Sequence, residues 1–333
     1  MQEETLIQVS IIVLTYNHAA YIRQAIDSIL MQKVNFNYEI LVGDDCSTDG
    51  SQEILKEYES KYPQIFRLFL RETNIGPTKN LFQLYQSANG EYIAQLESDD
   101  YWSDECKLQK QIDFLNQNEE YIGCSHLCTV VDEDGEAILE KNQNQTDSYW
   151  YYSKSEYTLE DCEKGKYPGH FCSMAFRNIF KNSQHDFSIL YRAHNFIGDR
   201  TIGLLLSISG KVYRIDESMS CYRLVEKKEK GNWQSLARKK NRRYEEYHYL
   251  RQLEKYVQKE LHQDFQMIDT RKDKLVCAAV VLLNNKSFEN LKVVLLMILD
   301  SGRILQSMKL AVSAIVQKIY YRKIFGEDKP VKF

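Results

Sequence analysis

Glu91-Tyr92-Ile93-Ala94-Gln95-Leu96 runs directly into Glu97-Ser98-Asp99-Asp100, and Tyr38-Glu39-Ile40-Leu41-Val42-Gly43 runs directly into Asp44-Asp45. Each is an apolar, strand-like run closed by acids. Ionised carboxylates beside a buried strand are costly unless they are paired, hydrogen-bonded or bound to metal. In an open α/β sheet, ligands sit outside the carboxyl ends of the strands. Two acidic clusters at two strand ends therefore predict a site that holds a cation and an anion the cation neutralises. Diphosphate with Mg²⁺ or Mn²⁺ fits, since hard cations take oxygen ligands and bridge phosphates.

Working outward, Gln8 to Leu14 is a short β-branched run of the kind found in buried parallel strands. Ala19 to Gln32 carries helical spacing through Ile22, Ala25, Ile26, Ile29 and Leu30. Cys46 to Ser51 is a polar loop with helix-capping residues, and a helix follows it. Ile65 to Leu70 reads as a third strand, Thr73 to Pro77 as a turn and Thr78 to Ser87 as a helix. The alternation of strand and helix predicts an α/β fold with a mostly parallel, doubly wound sheet over residues 1 to about 100. Beyond it the spacing predicts a helix over Ser103 to Asn118, a strand over Ile122 to Val131 and a hairpin turn at Asp132 to Glu136. Lys141 to Lys166 reads as irregular, and Lys211 to Ile215 as a strand. Glu226 to Asn232 is a charged stretch, and from Trp233 onward nearly everything reads as helix.

The bulk properties narrow the function. The 333 residues suffice for one large domain or two modest ones, with 43% hydrophobic and 27% charged residues. A net charge of −4 gives no drive toward nucleic acid, and no nucleic-acid-binding module accompanies the basic clusters. The 8 cysteines show no zinc-site spacing, and the acidic start Met1-Gln2-Glu3-Glu4 has no export-signal pattern. These features predict reduced thiols in a cytoplasmic protein. No apolar run reaches the length of a membrane span.

Five motifs follow one another in order: Ser10 to Asn17, Asp44 to Ser51, Asn74-Ile75-Gly76, Gly90 to Ile93, and Glu97 to Asp100. This order resembles the family 2 glycosyltransferases, specifically over residues 8 to about 105 and more weakly to about residue 223. The resemblance implies a GT-A fold and an inverting transferase that uses a nucleotide-sugar donor with Mn²⁺ or Mg²⁺. It implies a UDP-sugar, or else a dTDP-sugar, and as acceptor a growing surface glycan, free or lipid-linked. It also implies a domain over 1–225, with a nucleotide-sugar-binding half (1–105) and an acceptor half (106–225). Residues 226–333 would form a helical extension.

By the same resemblance, Thr15, Tyr16 and Asn17 line the base pocket. Asp45 accepts a hydrogen bond from the imide N–H of the base, as an ionised carboxylate can. Both Asp44 and Asp45 could instead stabilise their loop. Glu97-Ser98-Asp99 occupies the place of the family's D-x-D motif, with Asp99 as metal ligand and Glu97 and Ser98 toward the nucleotide. Glu97 departs from the family's aspartate, which puts its direct contact with metal in question. Asp100 assists, or caps the helix expected near Ser103. Lys79, in the first turn of a helix, either faces the donor phosphates or is an exposed lysine. His194 to Arg200 sits where the family carries its catalytic base, so Asp199 is the candidate, with an N-cap as the competing reading. His170 borders the acceptor site or is structural. Tyr222-Arg223 resembles an element that closes over the diphosphate, which makes Arg223 a phosphate or acceptor contact.

Nucleotidyl transfer is the rival chemistry, but it favours a Gly-rich basic loop after the first strand, and Thr15-Tyr16-Asn17-His18 has none. A degenerate nucleotide-sugar binder or scaffold is the non-enzymatic rival, opposed by intact Asp45, Asp99 and Asp199. Arg303 to Phe325 reads as a basic amphipathic helix with Ile304, Met308, Val312, Ile315 and Ile319 on one face. Upstream lies the cluster Arg238 to Arg243. The apolar face either packs on Leu291 to Leu296 or contacts an anionic membrane peripherally, on the inner face of the cell membrane.

Overall fold

A computed structural model describes residues 6–140, 154–181, 185–225 and 242–325. The chain divides into two units. One comprises Met1–Cys162 and Lys166–Asn232, the other Glu163–Gly165 and Trp233–Phe333.

The first unit begins with β1 (Val9–Thr15), α1 (Ile22–Leu30), β2 (Tyr38–Asp44), α2 (Ser51–Lys61), β3 (Phe66–Leu70), α3 (Pro77–Ser87) and β4 (Tyr92–Glu97). Every residue of β1 is buried, which is why its sequence is mostly apolar rather than alternating, with only Ser10 and Thr15 polar. β1 pairs in parallel with β2 and β4, and β2 pairs in parallel with β3. Ile22, Ala25, Ile26 and Ile29 of α1 pack into a core with Val9, Ile11 and Val13 of β1 and Ala94 and Leu96 of β4. Each such aliphatic side chain contributes about 1.5–3 kcal/mol on full burial.

The next elements are β5 (Tyr101–Trp102), α4 (Lys107–Gln117), β6 (Tyr121–Val131), β7 (Glu156–Tyr157) and α5 (Leu159–Glu163). They are followed by β8 (Ala175–Arg177), α6 (Ile189–Arg192), α7 (Asp199–Ser209) and β9 (Lys211–Arg223). The sheet order is β3-β2-β1-β4-β8-β6-β9-β5, with β7 on β9. The sheet is parallel from β3 to β4 and mixed beyond, because β8 pairs antiparallel with both β4 and β6.

Three expectations change. The helix expected from Ser103 starts at Lys107, because Tyr101 and Trp102 pair with Cys221 and Ser220 of β9. The strand expected to stop at Ile215 runs on to Arg223. Its polar Asp216-Glu217-Ser218 is exposed where the register against β6 shifts. Residues 154–166, expected to be irregular, hold β7 and α5, and Asp161 accepts hydrogen bonds from the Thr158 N–H and hydroxyl. The rest of that expected stretch, 141–153, lies outside the described residues, as do the charged stretch at 226–232 and most of the basic cluster at 238–243.

The second unit is helical, with α8 (Arg243–Glu260), α9 (Ile268–Asn284), α10 (Phe288–Asp300) and α11 (Ile304–Phe325). Its core joins Tyr247, Leu275, Ala279, Val294, Met297, Ala311 and Ala314. The fully buried Glu254 accepts from Arg271 Nε at 2.8 Å, Arg251 Nη1 at 2.6 Å and Met267 N at 2.7 Å, so the cost of burying its charge is offset. The expected apolar stripe on α11 is not what packs. Ala311 and Ala314 face the core, and Ile315 is partly buried against it. Ile304, Met308, Val312 and Ile319 are exposed.

Candidate functional site

The chain leaves β1 toward β2 and β3 on one side, while β4 leads to β8 on the other. The carboxyl ends of β1 and β4 therefore mark the reversal in strand order, where a crevice opens in such sheets. Leu14 is level with Glu97 and Thr15 with Asp44. The ladder extends one step further, with Asp45 N donating to Thr15 O at 3.0 Å and Ser98 N to Leu14 O at 2.9 Å. Both acidic clusters thus sit at one level of one edge.

Glu97 to Asp100 forms a tight turn closed by Asp100 N donating to Glu97 O at 3.0 Å. Asp100 Oδ1 accepts from Arg223 N at 2.8 Å. Asp100 Oδ2 is buried with no hydrogen-bond partner among the described residues and lies 3.6 Å from His170 Nδ1. Oxygens of Glu97 and Asp100 and a ring nitrogen of His170 all fall within 4.8 Å of one another. Burial raises the Glu97 pKa, and the charges of Asp99 and Asp199 raise it further. Asp100 is also raised, by burial first and then by Asp99 and Glu97. Burial pushes His170 down to about 3, so its imidazole is neutral. Crowded carboxylates, one orphaned buried oxygen and a neutral imidazole fit a divalent cation such as Mn²⁺ or Mg²⁺.

The expected N-cap role of Asp100 does not occur, since its carboxylate holds β9 rather than a helix. Asp99 Oδ1 lies 3.9 Å from His18 Nδ1, which also bonds Ser98 Oγ at 2.8 Å. His18 was not among the expected site residues. It directly follows the Thr15-Tyr16-Asn17 segment at the end of β1, and that position was its signal.

Around the base-pocket segment, Thr15 Oγ1 is buried without a hydrogen-bond partner among the described residues, and Tyr16 is exposed. Asn17 (φ 57°) and Cys46 (φ 68°) take left-handed backbone that side chains disfavour. Cross-bonds hold the Asn17 corner, as Asn17 N donates to Ser47 Oγ at 2.8 Å and Thr48 N to Asn17 Oδ1 at 2.9 Å. Strain fixed in this way is a common mark of ligand sites.

The Asp45 carboxylate accepts one backbone N–H on each oxygen, from Ile75 at 2.7 Å and Gly76 at 2.9 Å. It ties the end of β2 to the entry of α3 and keeps a further lone pair on each oxygen. Asp44 Oδ1 accepts from Ser47 N and Gln52 Nε2 and so stabilises its loop. Lys79 is exposed in the first turn of α3, and Asn80 beside it is buried. Arg71, missed in the sequence, follows β3 directly. Its Nη2 is buried without a hydrogen-bond partner among the described residues, and burial lowers its pKa. The strand-end rule that flagged Asp45 also applies to Arg71.

Asp199 is the first residue of α7, and Gly198 takes the N-cap position. The Asp199 carboxylate accepts from Arg200 N at 2.8 Å. Burial raises its pKa, and its charge in turn raises that of Glu97. The preceding loop is docked on α3, with Thr78 Oγ1 donating to His194 O at 2.9 Å. The structure thus brings Asp199 within electrostatic reach of Glu97 in the acidic turn.

Arg223, expected as a phosphate or acceptor contact, has its guanidinium bonded within the fold. Its Nε donates to Asp99 O at 2.9 Å, its Nη1 to Asp132 O and Glu133 O, and its Nη2 to Gln24 Oε1 at 2.7 Å. The guanidinium thus ties the acidic turn, through Asp99 O, to the Asp132–Glu133 turn and to Gln24 of α1. His170 likewise is buried in the structure, near a thiol pair whose Sγ atoms, Cys128 and Cys172, lie 3.7 Å apart. All eight cysteines are free thiols.

A model of the glycosyl transferase family 2 matches residues 10–183, just over half of the chain. The chain belongs to glycosyl transferase family 2. An uncharacterized protein of Mycobacterium tuberculosis is 38% identical over 165 residues, covering 44% of this chain and 48% of its own length. The Bacillus subtilis glycosyltransferase TuaG, named for teichuronic acid biosynthesis, is 38% identical over 107 residues, which are 32% of this chain and 41% of TuaG. The chain spans about half the length, or less, of the curated relatives it matches. The structure of S. aureus TarS 1-349 with UDP superposes with a TM-score of 0.65 at 16% identity, covering 98% of this chain and 95% of that one. At that identity the likeness establishes the shared GT-A fold of this family 2 chain.

Proposed function

We propose that this chain transfers a sugar from a nucleotide-sugar donor to a hydroxyl of a surface glycan, with inversion at the anomeric carbon. The observation that carries this reading is the convergence of Glu97, Asp99 and Asp100 with Asp199 at the β1/β4 crevice. Family membership supports it. The favoured donor is a UDP-sugar, in keeping with TarS structures with UDP and UDP-GlcNAc. The name of TuaG supports a surface-glycan acceptor, free or lipid-linked. Residues 1–105 serve as the donor half, 106–225 as the acceptor half and 226–333 as a helical extension. The setting is the cytoplasmic side of the cell membrane. Among the described residues no helix is long and apolar enough to cross a membrane.

Thr15, Tyr16 and Asn17 form the base pocket, and Asp45 accepts the imide N–H on a lone pair its backbone partners leave open. Lys79 and Arg71 face the diphosphate with positive charge. Asp99, with Glu97 and Asp100, would hold Mn²⁺ or Mg²⁺, which neutralises charge on the departing diphosphate when bound. His18 and Arg223 fix the orientation of the acidic turn. Asp199 takes the proton of the acceptor hydroxyl as that oxygen bonds to the anomeric carbon and the bond to the diphosphate oxygen breaks. Burial raises the Asp199 pKa toward the working range of a general base.

The test is a panel of nucleotide sugars, read by thermal unfolding and by donor hydrolysis with Mn²⁺ present. Ligands that bind the native state raise its apparent stability. A shift and slow hydrolysis with a UDP-sugar are expected. No shift with any uridine or thymidine nucleotide sugar would refute the reading.

A further inference from the structure

Eleven of the sixteen large hydrophobic residues left exposed among the described residues lie between Phe288 and Tyr320. They fall on two helices that share one core, α10 and α11. On α10, Phe288 (83% exposed), Leu295 and Leu299 lie at helical spacing on the side away from Val294 and Ile298. On α11, Leu305 (76%), Val312 (60%) and Val316 lie opposite the buried Ala311 and Ala314. α11 is thus apolar on two faces, of which one is packed. A soluble monomer rarely leaves this many large apolar side chains exposed on two neighbouring helices.

Charge decides what covers it. Among the described residues from 286 to 320, Lys286, Lys292, Arg303 and Lys309 are exposed, against a single exposed acid, Glu289. Two-fold pairing with a second copy sets a patch against itself and would bring these cations together. An anionic lipid surface instead accepts the apolar side chains at the headgroup boundary and attracts the cations around them. We propose that the exposed face of α10 and α11 docks the protein on an anionic lipid bilayer. The inference deepens the reading of a lipid-linked acceptor, because it would hold the catalytic unit at the surface where such an acceptor resides.

The experiment is flotation of the full chain with phosphatidylcholine vesicles, with and without phosphatidylglycerol. It compares wild type with a Leu305→Glu/Val312→Glu double variant. Both substitutions are on exposed positions, so the variant should fold, and its melting temperature checks that. Wild type should float with the anionic vesicles and much less with neutral ones. The variant should lose binding by about tenfold or more, as two acids enter a negative surface. Failure of wild type to float, or flotation of the variant like wild type, overturns the proposal. So does a concentration-dependent dimer that the variant abolishes in the absence of vesicle binding. Donor hydrolysis on the same preparations separates the two readings. Hydrolysis without flotation sinks only the lipid surface, and flotation without hydrolysis sinks only the transferase.

Discussion

The strand ends of residues 9–100 and the paired helices of residues 288–320 both present groups that the fold alone leaves unsatisfied, but of opposite kinds. At the strand ends the surplus is polar: an orphaned Asp100 oxygen, crowded carboxylates, and Arg71 with an unpartnered nitrogen. On the helices it is apolar, and it faces solvent. A buried carboxylate without a partner costs far more than an exposed leucine. The first surplus therefore marks chemistry with strong confinement, and the second marks a surface whose partner is broad and soft. The two regions should respond to mutation on very different scales.

The largest effect is expected at the acidic turn. Asp99→Asn removes a charged oxygen ligand for a hard cation and should abolish detectable transfer while leaving the melting temperature near that of wild type. Wild-type turnover by this variant in Mn²⁺ buffer would break the contrast at its strong end. Asp199→Asn comes next. It keeps the shape and loses the basic carboxylate, so transfer should fall by roughly 10²–10⁴-fold, with donor affinity unchanged. Because Gly198, not Asp199, holds the N-cap position, a capping loss cannot account for such a fall. A variant that binds donor and transfers at the full rate removes Asp199 from the mechanism.

Asp45→Ala should weaken UDP binding by about 1.5–3 kcal/mol, the range for a hydrogen bond to a charged group. Calorimetry reads that loss. Unchanged affinity would leave Asp45 with only its two backbone partners at Ile75 and Gly76. On the helices the scale is smaller and depends on the face. Ala314→Leu overpacks a fully buried position and should cost about 1–3 kcal/mol of stability by denaturant unfolding. Val312→Thr, one turn-face away and exposed, should stay within about 0.5 kcal/mol. Equal costs at the two positions would mean that the packed face has been misassigned.

The same contrast explains what the sequence revealed. Residues 9–100 alternate short apolar runs with polar corners, so local spacing and the global fold agree on where each strand ends. Asp45, Glu97 and Asp99 stood out in the sequence because each closes an apolar run, and strand ends are where such sheets place ligands. Arg71 and His18 obeyed the same rule, but each is a lone basic residue at its strand end rather than part of an acidic cluster. Arg223 read as a phosphate contact because a guanidinium suits one, whereas in the fold four of its N–H donors are bonded to Asp99, Asp132, Glu133 and Gln24. Asp100 was ambiguous for a related reason, since its partner at Arg223 lies more than a hundred residues away. In α11 the spacing failed in kind. A helix that is apolar on two faces has no single stripe, and the small residues Ala311 and Ala314, which allow close helix approach, carry little hydrophobic signal of their own.

The central claim is that the acidic turn at the β1/β4 crevice holds a divalent cation that in turn holds a nucleotide diphosphate. Titration calorimetry of UDP into the metal-stripped protein, with and without Mn²⁺, tests it directly. UDP should bind measurably more tightly when Mn²⁺ is present, and Asp99→Asn should lose that gain. Equal UDP affinity with and without Mn²⁺ in the wild-type protein would contradict the account.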